Sequence, residues 1–197
     1  MLPKAIIIIG SPAVGKYTIG KSLSQKCNYH FLHEHQLMDI AAVLFDDDTK
    51  EKITYYFKLR LDVFADFIKY NNGKSIVTTF VHLFNKPYYN AFMASYLQLF
   101  CEKNYQPYII ELEASFEERL KRNLNPDRLQ AKPSKQNIVH STEIINRMQA
   151  QRPNSNFTDT IFNSYPHLNL NTEILSVEAI TNHIIDFINT SEYSLNN

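Results

Sequence analysis

The stretch Ile6-Ile7-Ile8-Ile9-Gly10-Ser11-Pro12-Ala13-Val14-Gly15-Lys16-Tyr17-Thr18 decides how the chain folds. Its isoleucines, with Ala5 before them, make an unbroken apolar run. β-Branched residues in such a run suit a strand covered on both faces, as in a parallel sheet. Gly10 ends the run, and a helical pattern opens near Lys16, with Ile19, Leu23 and Cys27 recurring on one face. Between strand and helix lies a loop framed by two glycines. Gly10 and Gly15 can take backbone angles that other residues avoid, so successive N–H groups can turn inward as an anion nest. The positive end of the next helix points at the same spot. Lys16 adds a mobile cation for β- and γ-phosphates. Strand, loop, lysine and helix together form the context of a triphosphate cradle. Its contacts are expected from Gly10, Ser11, Ala13, Val14, Gly15, Lys16, Tyr17 and Thr18.

One position departs from the usual pattern. The hydroxyl that normally follows the lysine is replaced by Tyr17, and a hydroxyl arrives one place later as Thr18. A tyrosine oxygen lies too far out to reach a Mg²⁺ at the loop. The expectation is therefore Mg²⁺ held mostly by phosphate and water, with no protein metal ligand, and Thr18 on an α-phosphate oxygen. The run Val77-Thr78-Thr79-Phe80-Val81-His82 ends the third strand without an Asp or Glu. This agrees with a weak protein hold on the metal, and it counts against a motor-type ATPase, which needs an acid there to polarise water.

Working outward, 197 residues with 44% apolar content suit one α/β domain. Twenty basic residues balance twenty acidic ones, which argues against a protein whose main task is coating nucleic acid. Cys27 and Cys101 have neither metal-pair nor redox-motif spacing, which suits a reducing compartment. The opening apolar run is too short to span a membrane, and the reading is a cytoplasmic protein without membrane partners. Oligomeric state stays open. Strands are expected at residues 5–9, 29–33, 75–80, 107–112 and 167–170. Helices are expected between them: from residue 16, at 36–45, from 49 with Asp48 as cap and Glu51 at the capping-box position, at 86–103, from 117, at 141–151 and at 176–188. Ile53, Phe57, Leu61, Phe64 and Ile68 are the expected apolar stripe of the third helix. Ser141, Thr142 and Asn137 all remain candidate caps for the sixth. Alternating strands and helices imply a parallel sheet with right-handed crossovers.

The pattern G-x-P-x-x-G-K-x-T resembles the adenylate kinase loop, which also lacks a hydroxyl directly after lysine. More of the chain looks like the small P-loop kinases as a group: adenylate, shikimate and gluconate kinases and the chloramphenicol phosphotransferase type. It is also similar to kinase-like proteins labelled AAA-family ATPase or shikimate kinase-like. The shared segments are the loop, His33-Glu34-His35 after the second strand, Thr79-Phe80-Val81 at the end of the third, and the series Arg119, Arg122-Asn123, Arg128-Leu129 and Lys132-Pro133-Ser134. Together they cover most of residues 4–172. The resemblance implies a P-loop NTPase fold: a five-stranded parallel sheet of order 2-3-1-4-5, flanked by helices, in one domain over 1–197. Acceptor-binding helices would fall at about 34–72 and a basic lid at about 119–137.

Six basic residues, Arg119, Lys121, Arg122, Arg128, Lys132 and Lys135, follow the fourth strand. Phosphoryl transfer demands charge stabilisation on the migrating group more than covalent chemistry. A basic flap over the γ-phosphate supplies it and excludes water. By the resemblance, one arginine of the Arg119/Arg122 pair stacks on adenine, Arg128 grips phosphates, and Asn171-Thr172 approaches the adenine edge. The end of the second strand should meet the second substrate, and it offers His33, Glu34, His35 and Asp39. A base within reach of an acceptor hydroxyl is what the chemistry asks for. Arg60 falls on the apolar side of its helix and needs an anionic partner: a substrate carboxylate, as in shikimate kinases, or Asp39 or Asp62. The aromatic run Phe80, Phe84, Tyr88, Tyr89, Phe92 and Tyr96 can line a pocket, although Phe92, Tyr96 and Phe100 at helical spacing read as core.

These observations converge on ATP as cosubstrate, with Lys16, Arg119, Arg122 and Arg128 stabilising the transferring group and His33, His35, Asp39 and Arg60 contacting a small-molecule acceptor. Two alternatives stay beside this reading. One is a nucleotide-binding regulatory module with little turnover; the other is a kinase of a nucleic-acid end or a nucleotide sugar, and neutral net charge weighs against the nucleic-acid end.

Overall fold

The computed structural model describes residues 2–46, 49–125, 137–151, 154–156 and 161–191. Its centre is β1 (Lys4–Ile9), where Ile6 to Ile9 have no exposed surface. Burying each such side chain is worth about 1.5–3 kcal/mol relative to exposure, which is why this segment takes the middle of the sheet. β1 pairs in parallel with β3 (Ile76–Phe80) on one side and β4 (Gln106–Glu113) on the other. β2 (His30–Leu32) and β5 (His167–Asn171) add at the two edges, giving the order β2-β3-β1-β4-β5 with every pairing parallel. The register places Ile9 beside Phe80 and Glu111, so the three central strands reach the carboxyl edge together.

Strand periodicity sends alternate residues to opposite faces, and two cores follow. Ile7 and Ile9 pack on one face with residues of α2 (Glu34–Leu44), α3 (Lys50–Tyr70) and α4 (Pro87–Glu102). Ile6 and Ile8 pack on the other with α1 (Lys16–Cys27) and α7 (Val177–Thr190). The remaining helices, α5 (Phe116–Asn123) and α6 (Ile138–Gln149), follow β4 and lean on each other. Phe92, Tyr96 and Phe100 are buried in α4 as core, whereas Tyr88 is exposed. No helix among the described residues is long and apolar enough to cross a membrane.

The third helix departs from expectation twice. Its cap is Thr49, whose hydroxyl accepts from the Lys52 amide at 3.2 Å and donates to the Asp46 carbonyl at 3.1 Å. The hydroxyl of residue 49 satisfies the exposed amide of the first turn, so the cap falls one residue past the expected one; Asp48 itself lies outside the described residues. The fully buried stripe is Lys52, Tyr56, Arg60 and Phe64, and Ile53, Phe57, Leu61 and Ile68 are only half-buried. The helix turns Arg60 toward the polar end of β3, where the Thr78 hydroxyl and the Thr79 carbonyl receive it. Asn137 caps α6 by accepting from the His140 amide at 3.1 Å, which selects one of the three candidate caps. Loss of a capping hydroxyl costs about 1 kcal/mol. Thr49→Ala is expected to lower the unfolding free energy by about that amount in urea titration without changing the slope.

Candidate functional site

The loop after β1 has the backbone of an anion nest. Gly10, Ala13 and Gly15 all take positive φ, at 136°, 67° and 101°. A Cβ on Gly10 would stand 2.3 Å from the Leu112 carbonyl oxygen of β4, so glycine is required there by space as well as by torsion. Gly15 is the N-cap of α1 and presents the helix start to the loop. Lys16 is buried, and its ammonium donates to the carbonyls of Gly10 at 2.5 Å and Ser11 at 2.9 Å. The cation thus marks one end of the loop. Val14 is buried at the other, Pro12 and Ala13 are half-buried between them, and Thr18 is exposed on the first turn of α1. Tyr17 lies outside the loop, edge-on to the His33 ring at 5.0 Å and tilted against Phe31 at 5.8 Å.

Arg122 ties α5 to this loop. Its guanidinium donates to the Thr172 hydroxyl at 2.8 Å, the Thr172 carbonyl at 2.9 Å and the Val14 carbonyl at 3.4 Å. Glu118 receives its Nε at 2.8 Å. The Thr172 hydroxyl lies 3.0 Å from both the Val14 and Glu113 carbonyls, so loop, β4 and the end of β5 meet at one residue. Asn171 is exposed and accepts the Glu173 amide at 2.8 Å. Arg119 diverges from Arg122. It is buried over the Phe116 ring, donates to Gln149 of α6, and has no partner for Nε or Nη1 among the described residues. Burial holds its pKa below the ordinary arginine value. Of the expected arginine pair, Arg122 is the one that touches the loop. Arg128, Lys132 and Lys135 lie outside the described residues.

The expected acceptor edge gathers His33, His35 and Tyr17, with the two imidazoles 6.3 Å apart. His33 caps α2, its amide donating to Gln36 Oε1 at 2.9 Å. Asp39 is exposed further along α2. Arg60 is placed differently from expectation. It has no exposed surface and donates to the hydroxyls of Tyr56 at 3.0 Å, Thr78 at 2.6 Å and Tyr96 at 3.3 Å and to the Thr79 carbonyl at 3.0 Å. The rings of Phe64, Phe80 and Tyr96 surround it at 4.9–5.3 Å. Asp62 pairs instead with Lys58. Neutral oxygens and aromatic faces therefore replace the carboxylate partner. As placed, Arg60 braces the end of β3 and does not face an acceptor.

Two acids carry structure that sequence reasoning missed. Glu34 accepts the Val81 amide at 3.1 Å, while its own amide donates to Thr79 Oγ1 at 2.9 Å, so α2 is pinned to the end of β3. Glu111 of β4 is wholly buried and accepts the Ser155 amide at 2.7 Å, the Ser155 hydroxyl at 2.5 Å and a contact from His167 Nε2 at 3.0 Å. Burial alone would raise the Glu111 pKa, but the bonds from His167 and Ser155 outweigh it and hold the carboxyl below its ordinary value. The signal for Glu111 was an acid set between isoleucine and leucine in an otherwise apolar run. His82, just past β3, is also fully buried, against Phe84 at 4.5 Å and Phe162 at 5.7 Å. No group of His, Cys, Asp and Glu that could hold a metal occurs among the described residues.

No family model matches the chain, and no curated protein matches it. Solved structures do. An APS kinase from Mycobacterium tuberculosis, in complex with AMPPNP and APS, is 13% identical with a TM-score of 0.64, covering 96% of this chain and 99% of its own. A gluconokinase from Sinorhizobium meliloti is 12% identical at a TM-score of 0.60, covering 95% and 93%. A shikimate kinase from Acinetobacter baumannii, in complex with shikimate, is 14% identical at 0.57, covering 96% of both chains. The fold is that of the P-loop small-molecule kinases. Within that fold, the carboxyl edge of the sheet holds the loop of residues 10–18 and both carboxylates described above.

The Glu111 carboxyl predicts an acid limb of stability. A group whose folded pKa is depressed stabilises the protein above its unfolded pKa, and that contribution is lost as pH falls through the folded value. Glu111→Gln is expected to be less stable than the parent at pH 7. The gap should narrow from about pH 5 to about pH 2, read by denaturant titration at each pH.

Proposed function

We propose that the chain is an ATP-dependent phosphotransferase acting on a small-molecule acceptor. The observation that carries this reading is the continuity of one edge: Lys16 at the Gly10–Ser11 end of the nest, Val14 at the other, and Arg122 with Thr172 closing on Val14. In this reading Lys16 and the loop amides bind the β- and γ-phosphates, and the Val14–Arg122–Thr172 corner receives the nucleoside, with Asn171 beside it. Thr18, in the first turn of α1, takes an α-phosphate oxygen. The residues present suit Mg²⁺ held by phosphate and water, since Tyr17 replaces the usual ligand and β3 ends in Thr78-Thr79-Phe80. The metal would add charge neutralisation at the phosphates.

In transfer, an acceptor oxygen forms a bond to the γ-phosphorus as the bond to the β–γ bridging oxygen breaks, and ADP leaves. The acceptor proton passes to a base at the β2 edge, where His33 and His35 stand. Asp39, on the same helix, is an acceptor contact in this reading. Arg60 serves this edge through the end of β3 and not by contact. Arg119, whose Nε and Nη1 have no partner among the described residues, and Arg128 supply positive charge from the lid side.

A thermal-shift series tests the cradle. Ligand at 100 times its Kd stabilises by about 2.7 kcal/mol, a shift of several degrees. ATP or AMPPNP is expected to raise the melting temperature of the parent. Lys16→Ala should melt near the parent without ligand and lose most of that shift. A Lys16→Ala protein that keeps the full shift would sink the assignment. Turnover is then read as ADP formation across a panel of hydroxyl and phosphate acceptors. The same experiment in the absence of acceptor should give little ADP, and nucleotide binding with no turnover on any acceptor would favour a regulatory module.

A further inference from the structure

A residue that belongs to neither a helix nor a strand grips the buried acid of β4. Both Glu111 oxygens are used by Ser155, one taking its amide at 2.7 Å and the other its hydroxyl at 2.5 Å. A wholly buried carboxylate is costly unless it is hydrogen-bonded, so this two-point grip fixes where Ser155 lies. Glu111 is paired in register with Ile9, the residue before Gly10. The grip therefore sits directly behind the loop. Asn154 is carried along with Ser155, and its Oδ1 accepts the Ser11 hydroxyl at 3.0 Å. Ser11 is also buried, and its carbonyl receives Lys16 at 2.9 Å. Asn154 consequently stands at the ammonium end of the cradle, where the β- and γ-phosphates would lie. With Oδ1 turned to Ser11, its amide nitrogen keeps two N–H donors that no described residue uses.

We propose that Asn154 contacts the terminal phosphate of a bound nucleoside triphosphate, and that Glu111 is the positioning residue that holds it there through Ser155. The contact rests on the reading of residues 10–18 as a triphosphate cradle; the anchor does not. A neutral donor at this place suits a site whose loop lysine has Tyr17 beside it and no acidic residue at the end of β3. It adds a hydrogen bond that grows with charge on the migrating group and brings no carboxylate near it.

Two measurements separate the claims. The first is amide hydrogen exchange of nucleotide-free protein. Glu111→Gln keeps the shape of the side chain but offers one acceptor oxygen in place of two, so exchange at residues 154–156 is expected to accelerate. Ser155→Ala, which removes only the hydroxyl bond, serves if Glu111→Gln does not fold. Parental exchange in the folded variant would overturn the anchor. The second is the ratio of ATP to ADP affinity. Asn154→Asp sets a negative charge beside the terminal phosphate and is expected to weaken ATP and AMPPNP about tenfold or more, with ADP changed by less than about threefold. Asn154→Ala should lower the same ratio by a smaller factor, and Glu111→Gln should resemble it. An unchanged ratio in both Asn154 variants would remove Asn154 from the terminal phosphate. Equal nucleotide affinity in the parent and Lys16→Ala would remove the cradle itself, and the exchange measurement would still decide the anchor.

Discussion

The carboxyl edge of this sheet depends on one close approach, that of the Leu112 carbonyl to Gly10. A side chain on residue 10 would meet that oxygen at 2.3 Å, inside any tolerable contact. The chain leaves β1 there with φ at 136°, a torsion glycine alone takes freely. Because β4 lies so close, the loop can bend over the sheet edge while β1 stays paired on both sides. The buried isoleucines make that pairing stable, and the glycine lets it end abruptly. Neither works alone. A strand that could not stop at residue 9 would carry its amides past the turn into the loop.

Behind that edge, three of the buried ionic side chains among the described residues are held in different ways. Glu34 takes a backbone amide from Val81, Glu111 takes Ser155 and His167, and Arg60 takes four neutral oxygens and three aromatic faces. A buried charge without such partners would cost several kcal/mol. Most of the partners come from strand ends and from segments after them, and Tyr56 and Tyr96 come from helices. These charges therefore pull loops toward the sheet: Glu34 fixes α2 against β3, Arg60 fixes Thr78 and Thr79, and Glu111 fixes residues 154–156. The polar interior acts as a set of anchors for the edge where the loops converge.

What could be read in the sequence was local. The isoleucine run, the two glycines with Lys16, and the alternation of strand and helix follow from propensity and periodicity, and they suffice for the sheet and the loop. What could not be read depends on separations of many residues. Nothing near Arg60 in sequence indicates that Thr78 and Tyr96 will meet it, so the apolar-side arginine suggested an anionic partner. The stripe of α3 was misplaced for a related reason. Periodicity ranks isoleucine and leucine above lysine and arginine, but the strand end facing this helix is polar and draws in Arg60. Glu111 and Ser155 lie 44 residues apart, and only the tertiary fold makes them neighbours. The Thr49 cap was missed by one residue because aspartate and threonine both serve and local pattern does not separate them.

The arrangement of charge at the edge has a direction. Lys16 turns into the loop and Arg122 onto it, whereas Glu34 and Glu111, the buried acids nearest, spend their oxygens on N–H and O–H donors. Those bonds keep each carboxylate ionised and fix where its charge sits. The loop amides, the start of α1 and Lys16 lie on the other side of the balance, as positive ends turned to one place. Kinase-like sites that hold Mg²⁺ through side chains must bring acids or hydroxyls close to the phosphates and offset the repulsion with the metal. Here Tyr17 turns outward onto His33, and β3 ends in threonines that serve Arg60 and the amide of Glu34. The buried acids and the threonines at the end of β3 are thus spent on holding the edge together, and the same hydrogen bonds that fix their place build the loop's surroundings.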